Sequence, residues 1–263
     1  MDMNAFSLKG KIAWITGASY GMGLDMAKVF AREGANIIIT ARGEKRLNQA
    51  LEKVKECLTE GRRAIAVQAD VTSPEDTKHV YDVIEEEFGD LDILLHNAGK
   101  GEMEIIDDVQ EDHMMETLNI NLAGPIRYAQ QALMRFFLPK KEGRIIFISS
   151  VNGKKPCAGV VYSATKAGLN NVTMSLAFRT WDTNITVNAV APGATITPAH
   201  LANLRGEQDG GEKWLEYSGP YFNYQVPDTT GIDQANACLF LASNMGQCVT
   251  GQVIQVCNGS YLG

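Results

Sequence analysis

Long hydrophobic runs are missing from this chain. Unbroken apolar stretches such as Ile145–Ile148 are about a strand long, against the ~20 residues a bilayer-spanning helix needs, so no membrane span is expected. Met1–Gly10 carries neither a basic cluster nor a long apolar stretch, which reads against a secretory leader and for a cytoplasmic chain. Basic charge is scarce as well. Lys and Arg number 24 against 31 Asp and Glu, for a net charge of −7, so no nucleic-acid partner is expected. The cysteines, Cys57, Cys157, Cys238, Cys248 and Cys257, are an odd count without a Cys-x-x-Cys pair, and they read as small buried apolar residues. The four histidines are scattered and no His-Glu-x-x-His occurs, so no metal site is expected. Low-complexity linkers and repeats are absent too, which leaves one domain over residues 1–263. With 263 residues and 45% apolar content, the chain can bury a sizeable core, which excludes disorder and a small stapled scaffold.

What is present is an alternation. Strand-like runs at Lys11–Thr16, Asn36–Thr40, Ala64–Gln68, Ile93–His96, Arg144–Ser149, Ile185–Ala191 and Gln252–Val256 are separated by stretches of helical period. Most of these runs are continuously apolar, as strands covered on both faces by helices must be. Ser73-Pro74-Glu75-Asp76 offers a helix start, and Gly34, Gly61 and Gly89 fall where helices should stop. The pattern predicts an α/β Rossmann fold: a doubly wound, seven-stranded parallel sheet with helices on both faces. Such sheets bind ligands beyond the carboxyl ends of their strands. One stretch breaks the rhythm, from Pro198 to Asp228, where Trp214, Tyr217, Tyr221, Phe222 and Tyr224 crowd together. A loop of that length in a compact domain reads as a substrate-binding loop or lid.

Two constellations carry chemistry. The first strand runs into Thr16-Gly17-Ala18-Ser19-Tyr20-Gly21-Met22-Gly23 and then a helix. Glycine lets the backbone turn sharply and approach a pyrophosphate at a helix start, although a glycine-rich turn alone is also ordinary turn chemistry. The second is Tyr162-Ser163-Ala164-Thr165-Lys166 on a helix expected over Val160–Trp181. Residues four apart share a helix face, so the Lys166 ammonium can favour the phenolate of Tyr162. Moving a tyrosine from about 10 to about 7 takes roughly 4 kcal/mol, within reach of a close lysine and an oxidised nicotinamide together. Ser150 ends the fifth strand, where its hydroxyl can donate to a carbonyl oxygen, and Ser149 faces the other way.

With these motifs in order, the chain resembles the short-chain dehydrogenase/reductase family over nearly its whole length. The resemblance rests on the glycine loop, on Asn97-Ala98-Gly99, on Asn121 in Asn119-Ile120-Asn121-Leu122-Ala123-Gly124, on Ser150, Tyr162 and Lys166, and on Pro192-Gly193. It implies hydride transfer between a nicotinamide and a carbonyl or secondary alcohol. Tyr162 would be general acid and base, Ser150 would hold the substrate oxygen, Lys166 would tune Tyr162 and bind ribose, and Asn121 would hold a relay water. Gly17, Ser19, Tyr20, Gly21, Met22, Gly23, Asp70, Val71, Asn97, Ala98, Gly99, Tyr162, Lys166, Pro192, Gly193, Thr195 and Thr197 would contact the cofactor. His96, Thr195 and Asn258-Gly259-Ser260 depart from the family pattern without touching the four catalytic positions.

At the end of the second strand, Thr40-Ala41-Arg42 carries no acid to grip a ribose, and Arg42 is a planar cation suited to a 2′-phosphate. NADP(H) is therefore favoured over NAD(H), although Tyr20 stands where many phosphate-preferring relatives place a second basic residue. Trp214 and Tyr217, with Ser150 and Tyr162, are the expected substrate contacts. Hydroxysteroids, sugar acids or polyols, and 3-oxoacyl thioesters all remain open. A catalytically inactive dinucleotide sensor would have no use for Ser150, Tyr162, Lys166 and Asn121 together, and a methyltransferase-like fold would lack Tyr-x-x-x-Lys. The helices expected over Asp112–Phe137 and Val160–Trp181 correspond to the family's four-helix subunit interface, which implies a homotetramer or, failing that, a homodimer.

Overall fold

The computed structural model describes residues 5–155, 158–198, 200, 201, 223 and 225–261. Its elements run β1 (Ile12–Thr16), α1 (Gly21–Arg32), β2 (Asn36–Ala41), α2 (Glu44–Lys55), β3 (Ala64–Gln68), α3 (Pro74–Phe88) and β4 (Ile93–His96). There follow α4 (Glu111–Leu118), α5 (Gly124–Ala132), α6 (Leu138–Lys140), β5 (Glu142–Ile148), α7 (Val160–Arg179) and β6 (Asn184–Pro192). Short strands β7 (Thr195–Ile196) and β8 (Thr229–Thr230), then α8 (Gly231–Ala242) and β9 (Val253–Val256), complete the described order.

The large sheet has seven parallel strands in the order β3-β2-β1-β4-β5-β6-β9. This is the doubly wound Rossmann arrangement expected from the alternation, with the order reversing between β1 and β4. Side chains alternate between two cores. Ala13, Ile15, Ile37 and Ile39 join Met26 and Phe30 of α1 and Cys238 of α8 on one face. Trp14 and Ile38 join Tyr81 of α3, Tyr128 of α5 and Leu169 of α7 on the other. Both faces are therefore dry, which is why the strands read as continuous apolar runs.

Local chemistry sets the element ends. Ser73 Oγ accepts from the Asp76 N–H at 3.0 Å, as expected of a cap ahead of Pro74. Asp76 does not return the bond to Ser73; its carboxylate accepts from the Asp70 N–H at 2.7 Å and ties down the turn after β3. Gly34 and Gly89 end α1 and α3 with φ of 89° and 73°. Gly61 is also left-handed, but α2 already stops at Lys55, so this glycine shapes a later turn and does not end the helix. The helix expected over Asp112–Phe137 is broken by two π turns, Asn119–Ala123 and Leu133–Phe137. β5 ends at Ile148, leaving Ser149 and Ser150 just beyond it. The parallel pair β7–β8 was not anticipated. Among the described residues no helix is long and apolar enough to cross a membrane. Two cysteines correct the expectation of burial: Cys248, in a turn, is exposed, and Cys57, in the turn after α2, is only half-buried at the margin of one core. Cys157 lies outside the described residues.

Candidate active site

The loops after β1 and β4 are knotted together. Thr16 Oγ1 accepts from the N–H groups of Asn97 and Ala98 at 3.1 and 3.0 Å, and Asn97 Nδ2 donates to the carbonyls of Thr16 and Gly17 at 3.2 and 3.0 Å. Gly17 has φ of 64°, and a methyl there would lie 2.7 Å from Ala98 Cα. A methyl on Gly23 would lie 2.5 Å from both Asn97 Nδ2 and the Gly17 carbonyl. These glycines are required by close packing as well as by the turn. The α1 start has no side-chain cap, so its first-turn N–H groups keep their capacity to bind an anion.

A cavity of about 460 Å³ opens over this knot. Its lining includes Gly17, Ser19, Tyr20, Gly21, Met22, Arg42, Val71, Asn97, Ala98, Gly99 and Thr197 of the expected cofactor residues. Asp70 does not line it: its carboxylate accepts from the N–H and hydroxyl of Thr72, both at 2.8 Å. Pro192, Gly193 and Thr195 are not in the lining either. Thr195 is buried, its hydroxyl donating to the Gly193 carbonyl at 3.1 Å. Arg46, overlooked in the sequence, joins Arg42 in the wall and lies 4.9 Å over the Tyr20 ring. Its signal was the adjacent pair Lys45-Arg46 just inside a helix that begins beside Arg42. The glycine cradle and the two guanidiniums fit a dinucleotide with an anionic end.

Gly99 joins this cavity to the second constellation. A methyl there would lie 3.3 Å from Asn121 Oδ1 and 3.6 Å from Lys166 Nζ. Asn121 brackets the backbone of Lys100, accepting from its N–H and donating to its carbonyl, both at 2.8 Å. Asn121 sits in the first π turn, and Pro125 has no N–H to return to the Asn121 carbonyl as an α-helix would. Lys166 is 5% exposed; its Nζ donates to the Ile148 carbonyl at 2.9 Å and stands 5.5 Å from the Tyr162 ring centre. Burial pushes this ammonium down to about 8. His96, also buried, is pushed down to about 3 by desolvation and by the charge of Lys166, so it stays neutral.

Ser150 Oγ accepts from both the N–H of Asn152 at 3.2 Å and its Nδ2 at 3.0 Å. With both acceptor positions of the hydroxyl filled, the proton is what Ser150 has to give. Asn152 was not singled out in the sequence, because nothing in Ser-Val-Asn distinguishes a turn asparagine from one that orients a hydroxyl. Ser149 turns away and donates to Asn170 Oδ1 at 2.6 Å. The structure thus gathers Asn121, Tyr162 and Lys166 around the ends of β4 and β5, with Ser150 just beyond β5. Trp214 and Tyr217 lie outside the described residues.

Comparisons with known proteins follow the same lines. Residues 11–208 match the short chain dehydrogenase family. The chain is 34% identical to the 3-oxoacyl-(acyl-carrier-protein) reductase of Escherichia coli, over 97% of this chain and 99% of that one. Among solved structures it resembles actinorhodin polyketide ketoreductase with NADPH, at 28% identity and a TM-score of 0.86, covering 95% of this chain and 97% of that one. It also resembles L-sorbose reductase from Gluconobacter frateurii, complexed with NADPH and L-sorbose, at 30% identity and a TM-score of 0.85, covering 97% and 98%.

Proposed function

The chain belongs to the short-chain dehydrogenase family, and on that premise we propose that it is an NADP(H)-dependent oxidoreductase interconverting a ketone and a secondary alcohol, with Tyr162 as its acid and base. The observation that carries this reading is the meeting of Asn121 and Lys166 at Gly99, on the rim of the glycine-cradled cavity, with Tyr162 beside Lys166. The bound nicotinamide supplies the hydride in reduction and takes it in oxidation. In reduction Tyr162 gives its phenolic proton to the substrate oxygen. Ser150, with its acceptor positions filled by Asn152, donates a hydrogen bond to the same oxygen. Lys166 stabilises the resulting phenolate, and its buried ammonium, at about 8, is poised to exchange protons near neutrality. Asn121 holds the water through which that exchange reaches solvent.

Turnover on a panel of 3-oxoacyl thioesters, ketoses and hydroxysteroids, followed at the nicotinamide absorbance, tests the reading. Tyr162→Phe is expected to lose at least about a thousandfold in kcat, in the range general acid–base catalysis supplies, with cofactor binding within threefold of the parent. Retained turnover would remove the mechanism.

Cofactor preference follows from Arg42 and Arg46, which hold the 2′-phosphate in this proposal. Charge-assisted hydrogen bonds contribute about 1.5–3 kcal/mol each, so Arg42→Ala and Arg46→Ala are each expected to raise KM for NADPH roughly tenfold or more and leave that for NADH nearly unchanged. A tenfold preference of the parent for NADH would overturn the choice. Substrate recognition is assigned to residues 198–228, and assembly to α4, α5 and α7 with the turns that follow them, where Met134 in the π turn after α5, Phe178 on α7 and Trp181 just past its end are 65%, 80% and 79% exposed. A homotetramer, or a homodimer in its place, is read by light scattering.

A further inference from the structure

The catalytic helix has no cap of its own. Its N-cap residue is Gly159, which offers no side chain, so the first N–H groups of α7 need partners from elsewhere. They find them in residues 102–104. The Gly159 N–H donates to the Glu102 carbonyl at 3.1 Å, and the Val160 N–H donates to the Glu104 carbonyl at 3.0 Å. The Tyr162 N–H donates to Glu102 Oε2 at 3.1 Å, across 60 residues of sequence. The other oxygen of that carboxylate accepts from the Glu104 N–H.

Both glutamates are buried, Glu102 at 7% exposure and Glu104 at 6%. A carboxylate that far from water is retained only where it is bonded. Glu104 is tied in turn to α4, with Oε1 2.6 Å from His113 Nδ1. The segment also starts at Lys100, whose backbone is bracketed by Asn121. One short run of chain therefore connects the asparagine of the π turn to the tyrosine of α7.

We propose that Glu102 is a positioning residue for the reaction: by capping α7 through the backbone N–H of Tyr162 itself, it sets where the phenol stands relative to Ser150 and Lys166. This rests on the assignment of Tyr162 as the acid and base. The geometry at Gly159 makes the same point from the opposite side. Its φ of −52° and ψ of 148° suit any residue, so no backbone strain demands glycine there. What demands it is space, since a methyl group would overlap the Glu102 carboxylate and come within 2.6 Å of the Glu102 carbonyl. Substituting Gly159 is thus a way to push the capping segment off the helix with Glu102 still present.

The experiment measures kcat, KM for NADPH and thermal midpoint on whichever panel substrate the parent turns over. Glu102→Ala is expected to lower kcat at least tenfold with the cofactor KM within threefold. Glu102→Gln keeps an oxygen for the Tyr162 N–H but sets its amide NH2 against the Glu104 N–H, so its kcat is expected to fall between the parent and Glu102→Ala. Gly159→Ala is expected to lower kcat at least fivefold, and Glu102→Ala with Gly159→Ala to lose less than the product of the two, because both break one contact. Should Glu102→Ala fail to fold, Glu102→Gln and Gly159→Ala carry the test alone. Gly159→Ala within twofold of the parent, or Glu102→Gln as slow as Glu102→Ala, overturns the proposal. If Tyr162→Phe keeps its turnover, the acid–base assignment and this proposal fall together. If Tyr162→Phe is dead and Glu102→Ala is within twofold of the parent, only the Glu102 proposal falls.

Discussion

The two halves of the candidate site are built by different means. The dinucleotide side is made by absence: glycines at Gly17 and Gly23 leave room, and the loops after β1 and β4 approach until no methyl would fit between them. The reacting side is made by presence, from side chains that hold one another: Asn152 on Ser150, Asn121 on the Lys100 backbone, Glu102 on the Tyr162 N–H. A shape of the first kind fails when anything is added. An arrangement of the second kind fails when something is removed, and by degrees.

That contrast can be broken at three places. The largest effect belongs to Gly23→Val, which drives a branched side chain against Asn97 Nδ2 and the Gly17 carbonyl. Dinucleotide binding, measured by titration of the reduced cofactor's fluorescence, is expected to weaken by a hundredfold or more; a change under fivefold would show that the cradle yields. On the reacting side, Asn152→Ala frees one of the two acceptor positions of Ser150, its backbone N–H keeping the other, and kcat is expected to fall about tenfold, in line with about 1.4 kcal/mol for one hydrogen bond, while the cofactor KM holds. A loss of cofactor affinity instead would blur the two halves into one.

A third effect, on stability and not on turnover, lies between the halves, at His96. Its folded value of about 3 stands below the ordinary 6.5, so between those values the unfolded chain binds a proton that the native state refuses. Stability therefore rises with pH across that window and is lost on acidification, by up to about 1.4 kcal/mol for each pH unit. Urea midpoints of His96→Asn are expected to fall less steeply than those of the parent between pH 6.5 and 4. Parallel slopes would mean that the ring finds a partner when charged.

Legibility in the sequence divides along the same line. The glycine loop is contiguous, and so is Tyr162-Ser163-Ala164-Thr165-Lys166, so each could be found in the sequence, but each alone has an ordinary reading, and only their order together with Ser150 and Asn121 pointed to a site. The seven strands could be read because both faces of the sheet are dry and most of the strand runs are continuously apolar. Arg46 was missed because an arginine in the first turn of a polar helix looks the same whether or not it borders a cavity. Asn152 and Glu102 were missed because their partners are a hydroxyl proton's direction and a backbone N–H, neither of which leaves a mark on residue type. The π turn at Asn121 was not read, although Pro125 marks a missing donor there; Gly124 beside it is held by space, with Val71 2.7 Å from where a methyl would sit.

The little parallel pair β7–β8 has a consequence for how such a protein can change. It registers Thr195 with Thr229 and Ile196 with Thr230, and Thr195 and Thr229 share a hydrogen bond at 2.9 Å while Gln234 donates to the Thr229 hydroxyl at the same distance. The two ends of the intervening stretch are thereby clamped side by side, independently of what lies between them. Between ends fixed in this way, each doubling of the length of chain joining them adds only about 0.6 kcal/mol in closure entropy. A segment of different length and composition, transplanted from a relative between residues 201 and 223, would accordingly inherit its anchor points at β7 and β8 ready-made.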